Sequence, residues 1–393
     1  MKTVSKLAAV LVGLSLVQGQ ASAQASGDLV IGYSMAKTGP YVSLAIGNEI
    51  AADLAVEEIN ARGGVNGKKI KLSKFDTGGD PKSAVTAVRR FAQDEKALAV
   101  IGPFSSSECR VAFPAGESAG IVQTSMGSSA PGLTAGFSYG FRNTVDEGIV
   151  IDEVMDTLSS KKIPSSNAAI AYGTDDAVSK SIGTAVLPAV FGKAKSNLKQ
   201  TVDFKVKAFD LSPQVSQLVQ SQPDVIGVGA PPELAVKLAV ELHRQGFKGR
   251  MIGGTTIADP DLPKRMAPGG EGMTIGTTYH ANASVKSKEF AAAYEKRAKA
   301  AGLTRTEPNQ MDAATYDIVL MYAAAMANAK VSGDAANLAK ERTAIRDYLS
   351  TMTNLKGVEG DISFNKDRDA IKPVYVIEAK GGAWSLVATR KSK

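Results

Sequence analysis

From Asp28 onward short apolar runs alternate with longer amphipathic stretches, and that alternation constrains the fold more than any other feature of the chain. Parallel strands cannot be joined by a tight turn. A helix supplies the crossover, so a strand-helix repeat reads as a parallel sheet with helices on its faces. The first series has strands at residues 29–33, 70–75, 97–101 and 121–124, with helices at about 45–62, 81–94 and 106–119. Its boundaries are marked chemically: Asp80-Pro81 places a capping carboxylate before a proline at the first helical position, Gly63-Gly64 stops the preceding helix, and Val65-Asn66-Gly67 turns the chain into the next strand. A second series follows Phe141-Arg142-Asn143, with strands at 168–172, 198–203, 225–228 and 251–252 and helices at about 148–160, 177–190, 212–221 and 233–246. The fold class is therefore α/β, with two doubly wound parallel-sheet lobes. Beyond residues 273–279 come three helical stretches (286–301, 309–329, 334–351) and strand-like runs at 361–364, 374–379 and 384–388. Helices without partner strands cannot build a sheet of their own, so they are expected to pack back on an earlier lobe.

Ahead of the first strand, Lys2 and Lys6 give a positive start, residues 7–17 an apolar core, and Ala21-Ser22-Ala23 a small-residue cleavage site before Gln24. The apolar run is shorter than the roughly 20 residues needed to span a bilayer. Residues 1–23 therefore read as a cleaved signal peptide, and the mature chain as exported to the periplasm. The whole chain has 46 Lys+Arg against 39 Asp+Glu, a formal net charge of +7, and without Lys2 and Lys6 the balance is 44 − 39 = +5. The positive residues are scattered and carry no interleaved aromatics, which excludes a nucleic-acid surface. Cys109 is the only cysteine, so no intramolecular disulfide is possible; a buried inert thiol is the favoured reading of it. His243 and His280 are the only histidines, which leaves no basis for a zinc site, and no cofactor is implied.

Several pieces occur in order along the chain: Thr38-Gly39-Pro40-Tyr41, Ala55 to Asn60 with Gly63 to Gly67, Asp80-Pro81, Val100 to Pro103 with Ser105 to Ser107, Phe141-Arg142, and Gly246 to Gly249 before a strand. Together they resemble the type I periplasmic binding proteins, and most of all the branched-chain amino-acid binding branch of ABC importers. The resemblance implies two lobes joined by three crossover strands, near residues 143–146, 275–279 and 358–361, that close on a small solute like a hinged clamp. The N-terminal lobe would hold residues 28–144 plus 279–359, and the C-terminal lobe 145–278 plus 360–393. It also implies a monomer docking on an inner-membrane permease.

Ligands of open α/β sheets sit beyond the carboxyl ends of the strands, which selects loops. Tyr41 offers an aromatic wall and a hydroxyl. Ser105, Ser106 and Ser107 open a helix whose N–H groups suit a carboxylate, although helix capping alone would also explain them. Ser125, Gly127 and Ser128 follow the fourth strand, where the serines could equally serve the turn. By resemblance these loops correspond to the segments that hold an amino acid's carboxylate and ammonium. The second lobe departs from the family. Val178-Ser179 stands where a tyrosine-glycine pair is usual after Asp175-Asp176, and Thr255-Thr256 follows Gly253-Gly254 where an acid is usual. Asp175 and Thr255 are the candidates there, with Asp175 also readable as a helix cap. Gly79 occupies the place of a cysteine of the family's early disulfide.

No Gly-x-Ser-x-Gly elbow is present and His243 lies within a helical stretch, so a hydrolase is disfavoured. The expected function is an importer's solute receptor for a small carboxylate, foremost a branched-chain or other hydrophobic amino acid. The alternatives are an aromatic or aliphatic carboxylate, a small amide, or a periplasmic ligand sensor.

Overall fold

The computed structural model describes residues 27–391; the segment read as a signal peptide lies outside the described residues. Strands β1 (Leu29–Met35), β2 (Ile70–Asp76), β3 (Ala99–Ile101), β4 (Val122–Ser125) and β5 (Gly140–Arg142) form a parallel sheet in the order β2-β1-β3-β4-β5. The β5 strand is an addition to the four read from sequence; at three residues it is too short to show a period. Leu29, Ile31 and Tyr33 of β1 pack with the helix Asn48–Ala61 on one face. Helices Pro81–Arg89 and Ser106–Ala119 contribute Ala84, Val88 and Ala112 to a cluster on Val100. Coverage on both faces explains why the central strands are continuous apolar runs. Gly32 is needed for this packing, because a Cβ there would fall 2.5 Å from the Phe91 ring.

The second sheet takes β6 (Asn167–Gly173), β7 (Asn197–Phe204), β8 (Val225–Gly229), β9 (Arg250–Gly253) and β10 (Thr274–Thr277), all parallel. A small antiparallel sheet, β11 (Leu355–Lys356), β12 (Asp361–Phe364) and β13 (Ala370–Ile371), precedes β14 (Pro373–Lys380) and β15 (Ala383–Lys391). These last two join β10 antiparallel, giving the order β15-β14-β10-β9-β8-β6-β7. The helices predicted over 81–94 and 177–190 are present as α segments continued by π turns at Arg90–Asp94 and Ile182–Val186.

The helices Val285–Ala300, Gln310–Asn328 and Leu338–Thr351 pack against the first sheet, placing Tyr294, Tyr322 and Ile345 in the same core as Ile31 and Tyr33. The Tyr322 hydroxyl donates to the Val100 carbonyl at 2.7 Å and so ties Gln310–Asn328 to β3. Ile362, Phe364 and Ala370 also belong to this core, so the chain passes into the second sheet at 371–373, later than the 358–361 passage expected from sequence.

The passages between the sheets converge on one buried polar cluster. The Lys372 ammonium donates to the Asn143 carbonyl (2.6 Å) and to Glu359 Oε2 (2.5 Å), and Glu359 Oε1 accepts from the Thr278 hydroxyl (2.7 Å). Lys372 and Glu359 have fully buried side chains. Asp317 completes the cluster by accepting the backbone N–H groups of Val358 and Glu359.

Candidate functional site

The carboxyl ends of β1, β3 and β4 face those of β6, β8 and β9 across a crevice of about 30 Å³. From the first sheet it is lined by Tyr41, Leu44, Phe104, Ser105, Ser106 and Gly127. Asp176, Val178, Pro231 and Thr256 face them from the second, and Met311 completes the lining.

Ser105 caps the helix Ser106–Ala119 in a capping box: its hydroxyl accepts from Glu108 N at 3.2 Å, and Glu108 Oε2 takes both the Ser105 N–H and hydroxyl. That reciprocal pattern leaves the next N–H groups outside the helical ladder, at the positive end of the helix dipole. Ser106 sits there almost fully buried, and its Oγ accepts the Ala130 N–H at 3.3 Å. Among the described residues its own hydroxyl hydrogen makes no bond, so it is available to an acceptor in the crevice. Burial raises Glu108 above the ordinary carboxylate range, against the opposing effect of its bonds from Thr77 and Ser105.

Tyr41 stacks 5.6 Å from Phe104, and its hydroxyl donates to Asp176 Oδ1 at 2.8 Å, joining the two walls. Gly79 makes room for that ring: it has a φ of +76° and a Cβ would meet Tyr41 at 2.8 Å. Asp176 is held by capping its own helix, with Oδ2 accepting from the Ser179 N–H (2.9 Å) and hydroxyl (2.6 Å). Thr256 is buried, and among the described residues its hydroxyl has no partner.

Of the residues singled out from sequence, Tyr41, Ser105, Ser106 and Gly127 line the crevice. Five do not. Ser107 is half-buried on the helix outside the lining, and Ser125 is committed to the turn, donating to the Phe104 carbonyl and accepting from Ser128 N at 3.2 Å. Ser128 is buried within that same turn. Asp175 is exposed and accepts from Val206 N at 2.8 Å, which binds it to the loop after β7; its neighbour Asp176 is both the cap and the crevice residue. Thr255 points away and donates to Glu147, leaving Thr256 to face the crevice.

Glu147 was not anticipated. Its carboxylate, fully buried behind the crevice, accepts from the Ser129 hydroxyl at 3.0 Å and the Thr255 N–H at 3.1 Å. A Cβ on Gly254 would collide with it at 1.8 Å, so this glycine makes the acid's place. Burial pushes Glu147 up to about 7, against the opposing effect of the Thr255 and Ser129 bonds. Arg142 positions the loop bearing Ser129 by donating to the Ala130 carbonyl at 2.6 Å while paired with Asp369. Glu147 stood in the sequence just ahead of the helix expected over 148–160 and proves to be its first residue, but nothing there showed which loop it would meet.

The family model of the periplasmic binding proteins matches residues 28–383. The chain belongs to that family. Its architecture is the type I periplasmic binding protein fold, with two α/β lobes around a crevice. Leu/Ile/Val-binding protein homolog 1 of Brucella suis is 27% identical over 366 residues, covering 89% of this chain and 90% of that protein. The branched-chain amino acid transporter substrate-binding protein of Streptococcus pneumoniae, solved in complex with isoleucine, superposes with a TM-score of 0.80 at 22% identity, over 93% of this chain and 99% of the other. An ABC-transporter solute-binding protein of Rhodopseudomonas palustris, solved with 3,4-dihydroxybenzoic acid, gives 0.79 at 19% identity, over 93% and 98%. Among the described residues no helix is long and apolar enough to cross a membrane, and no group of three or more His, Cys, Asp or Glu is placed to hold a metal ion.

Proposed function

We propose that this chain is the extracytoplasmic solute-binding component of an ABC importer, acting as a monomer that delivers its solute to an inner-membrane permease. Its solute is a small carboxylate with an apolar body, foremost a hydrophobic amino acid. The observation that carries this reading is the polarity of the crevice. On one wall the Ser106 hydroxyl and a helix N-terminus suit a carboxylate; on the other Asp176 offers the anionic partner that a buried ammonium needs. Leu44, Phe104, Val178, Pro231 and Met311 are left for an apolar side chain.

About 30 Å³ is far less than the roughly 300 Å³ at which small-molecule sites begin, so admission requires the lobes to part and the Tyr41–Asp176 bond to break. We assign the stretch carrying Ile362, Phe364 and Ala370 to the first lobe, because those side chains pack in its core. A panel of amino acids, aromatic acids and small amides, screened by thermal shift and followed by scattering, tests the proposal. A hydrophobic amino acid should raise the melting temperature and change the particle's dimensions; no response from any carboxylate defeats it. The aromatic-acid reading is favoured by one feature, Val178 in place of an aromatic, and by the dihydroxybenzoate bound to the Rhodopseudomonas protein. A response to aromatic acids alone would select it.

A further inference from the structure

Beside the crevice, along the passage from β10 to the helix Val285–Ala300, lies a larger cavity of about 540 Å³, well within the range of small-molecule sites. Asp261, Lys264 and Trp384 line it from the second lobe, and Glu295, Glu307 and Gln310 from the first. A thin partition separates the two spaces. Thr256 and Met311 face the crevice, whereas Ala258 and Gln310, close by in the same two segments, face the cavity.

The partition is tied together by hydrogen bonds. Gln310 Oε1 accepts from the Thr277 hydroxyl (2.9 Å) and Thr278 N–H (2.8 Å), which fixes its amide and aims the NH₂ group the other way; that group makes a single 3.5 Å contact, to the Thr255 carbonyl. Asn309 caps the helix behind it, and Asp312 of that cap is paired with the buried Arg305 at 2.5 Å. Trp384 is anchored at the other side by its indole N–H, which donates to the Asp259 carbonyl at 2.8 Å.

The charge of the lining is negative. Three carboxylates face one lysine, and of the three only Glu295 has an ion-pair partner among the described residues, Lys299 at 2.5 Å. Burial lowers the His280 pKa, which favours its neutral form. Carboxylates set beside an indole and the Tyr279 phenol are the side chains that recognise ammonium groups.

We propose that this cavity is a second small-molecule site, which takes an organic cation, either an aliphatic amine or a quaternary ammonium compound, and whose occupant bridges the two lobes. Cation binding stands independently of the reading of the crevice. A second consequence, that the occupant favours the closed form and tightens binding in the crevice, rests on that reading.

Calorimetric titration of the chain with putrescine, agmatine and choline, at low and high salt, tests the site. At least one should bind one-to-one, more weakly as salt rises. The double variant Asp261→Asn/Glu307→Gln alters side chains at the exposed rim and should weaken binding by about tenfold or more, while Ser106→Ala leaves it unchanged. Absence of binding by all three at millimolar concentration overturns the proposal. So does binding that ignores the double variant, or that Ser106→Ala abolishes, since the amine would then lie elsewhere or in the crevice itself.

Discussion

Lys372 sits where the three passages between the lobes meet, and replacing it with methionine tests whether that cluster holds the fold together. The substitution shortens the side chain by one heavy atom and removes its charge, leaving Glu359 and Asp317 as neighbouring buried acids. Breaking a buried ion pair from one side costs about 3–5 kcal/mol, because the remaining charge has neither water nor an opposite charge beside it. The size of the loss depends on pH. Burial already pushes Glu359 up to about 7 with the lysine in place, and pulls Lys372 below the usual lysine range. A carboxyl whose folded pKa lies above its unfolded value of about 4.3 contributes fully below that value and loses its contribution as pH rises through the folded one. Removing Lys372 moves the folded pKa of Glu359 higher still and extends that loss further into the alkaline range. Near pH 5 the acid carries its proton in the variant, and the deficit should be the lost hydrogen bonds alone, about 1–2 kcal/mol. Above pH 7 it should grow by up to about 1.4 kcal/mol per pH unit until the full penalty is reached. Urea unfolding of parent and variant at both ends of that range measures the difference. A deficit under about 1 kcal/mol throughout, or one larger at the acid end, refutes the reasoning.

Glu147→Gln should behave in the opposite sense: the parent loses stability as pH rises from about 4.5 through about 7, so the variant should overtake it at alkaline pH by about 1–3 kcal/mol, and parallel melting curves would contradict this. Ser105→Ala should cost about 1 kcal/mol of fold stability through the lost capping box. Ser106→Ala removes the acceptor of the buried Ala130 N–H and should also cost about 1 kcal/mol of stability, but unlike Ser105→Ala it should weaken a carboxylate ligand as well, by about 1–3 kcal/mol; calorimetry separates the two serines. Asp176→Asn should weaken an amino acid by about tenfold or more and spare an aromatic acid, so equal losses for both would remove Asp176 as the ammonium partner. Tyr41→Phe removes the bond that joins the crevice walls, and scattering of the ligand-free protein should show a more open particle.

Both lobes were legible in the sequence because their central strands are apolar on both sides and their helices are capped by local chemistry, as at Asp80-Pro81 and Ser105. The third passage was placed too early because β12 and β13 are short, and only their contact with the first core, through Ile362, Phe364 and Ala370, shows which lobe they serve. In the site, residues at the start of a helix were legible and their partners across the crevice were not. Choosing between Asp175 and Asp176 requires knowing which carboxylate caps the helix and which reaches back to Val206, two bonds that one sequence position cannot distinguish. Thr255 and Thr256 present the same difficulty: adjacent residues face opposite ways, and Glu147, over a hundred positions earlier, determines which hydroxyl is used up.

Cys109 lies fully buried under the helix N-terminus, its thiol pushed up to about 12 by burial. Thiol reagents act on the thiolate and need access to it, so the folded chain should behave toward a maleimide as if it had no cysteine. Opening and closing therefore become directly visible without first engineering the native sequence. Val111→Cys on the helix Ser106–Ala119 and Phe209→Cys ahead of the helix Ser212–Gln220 both lie at exposed positions on opposite lobes. A donor and an acceptor dye attached there would convert the distance between the lobes into a fluorescence signal, one molecule at a time.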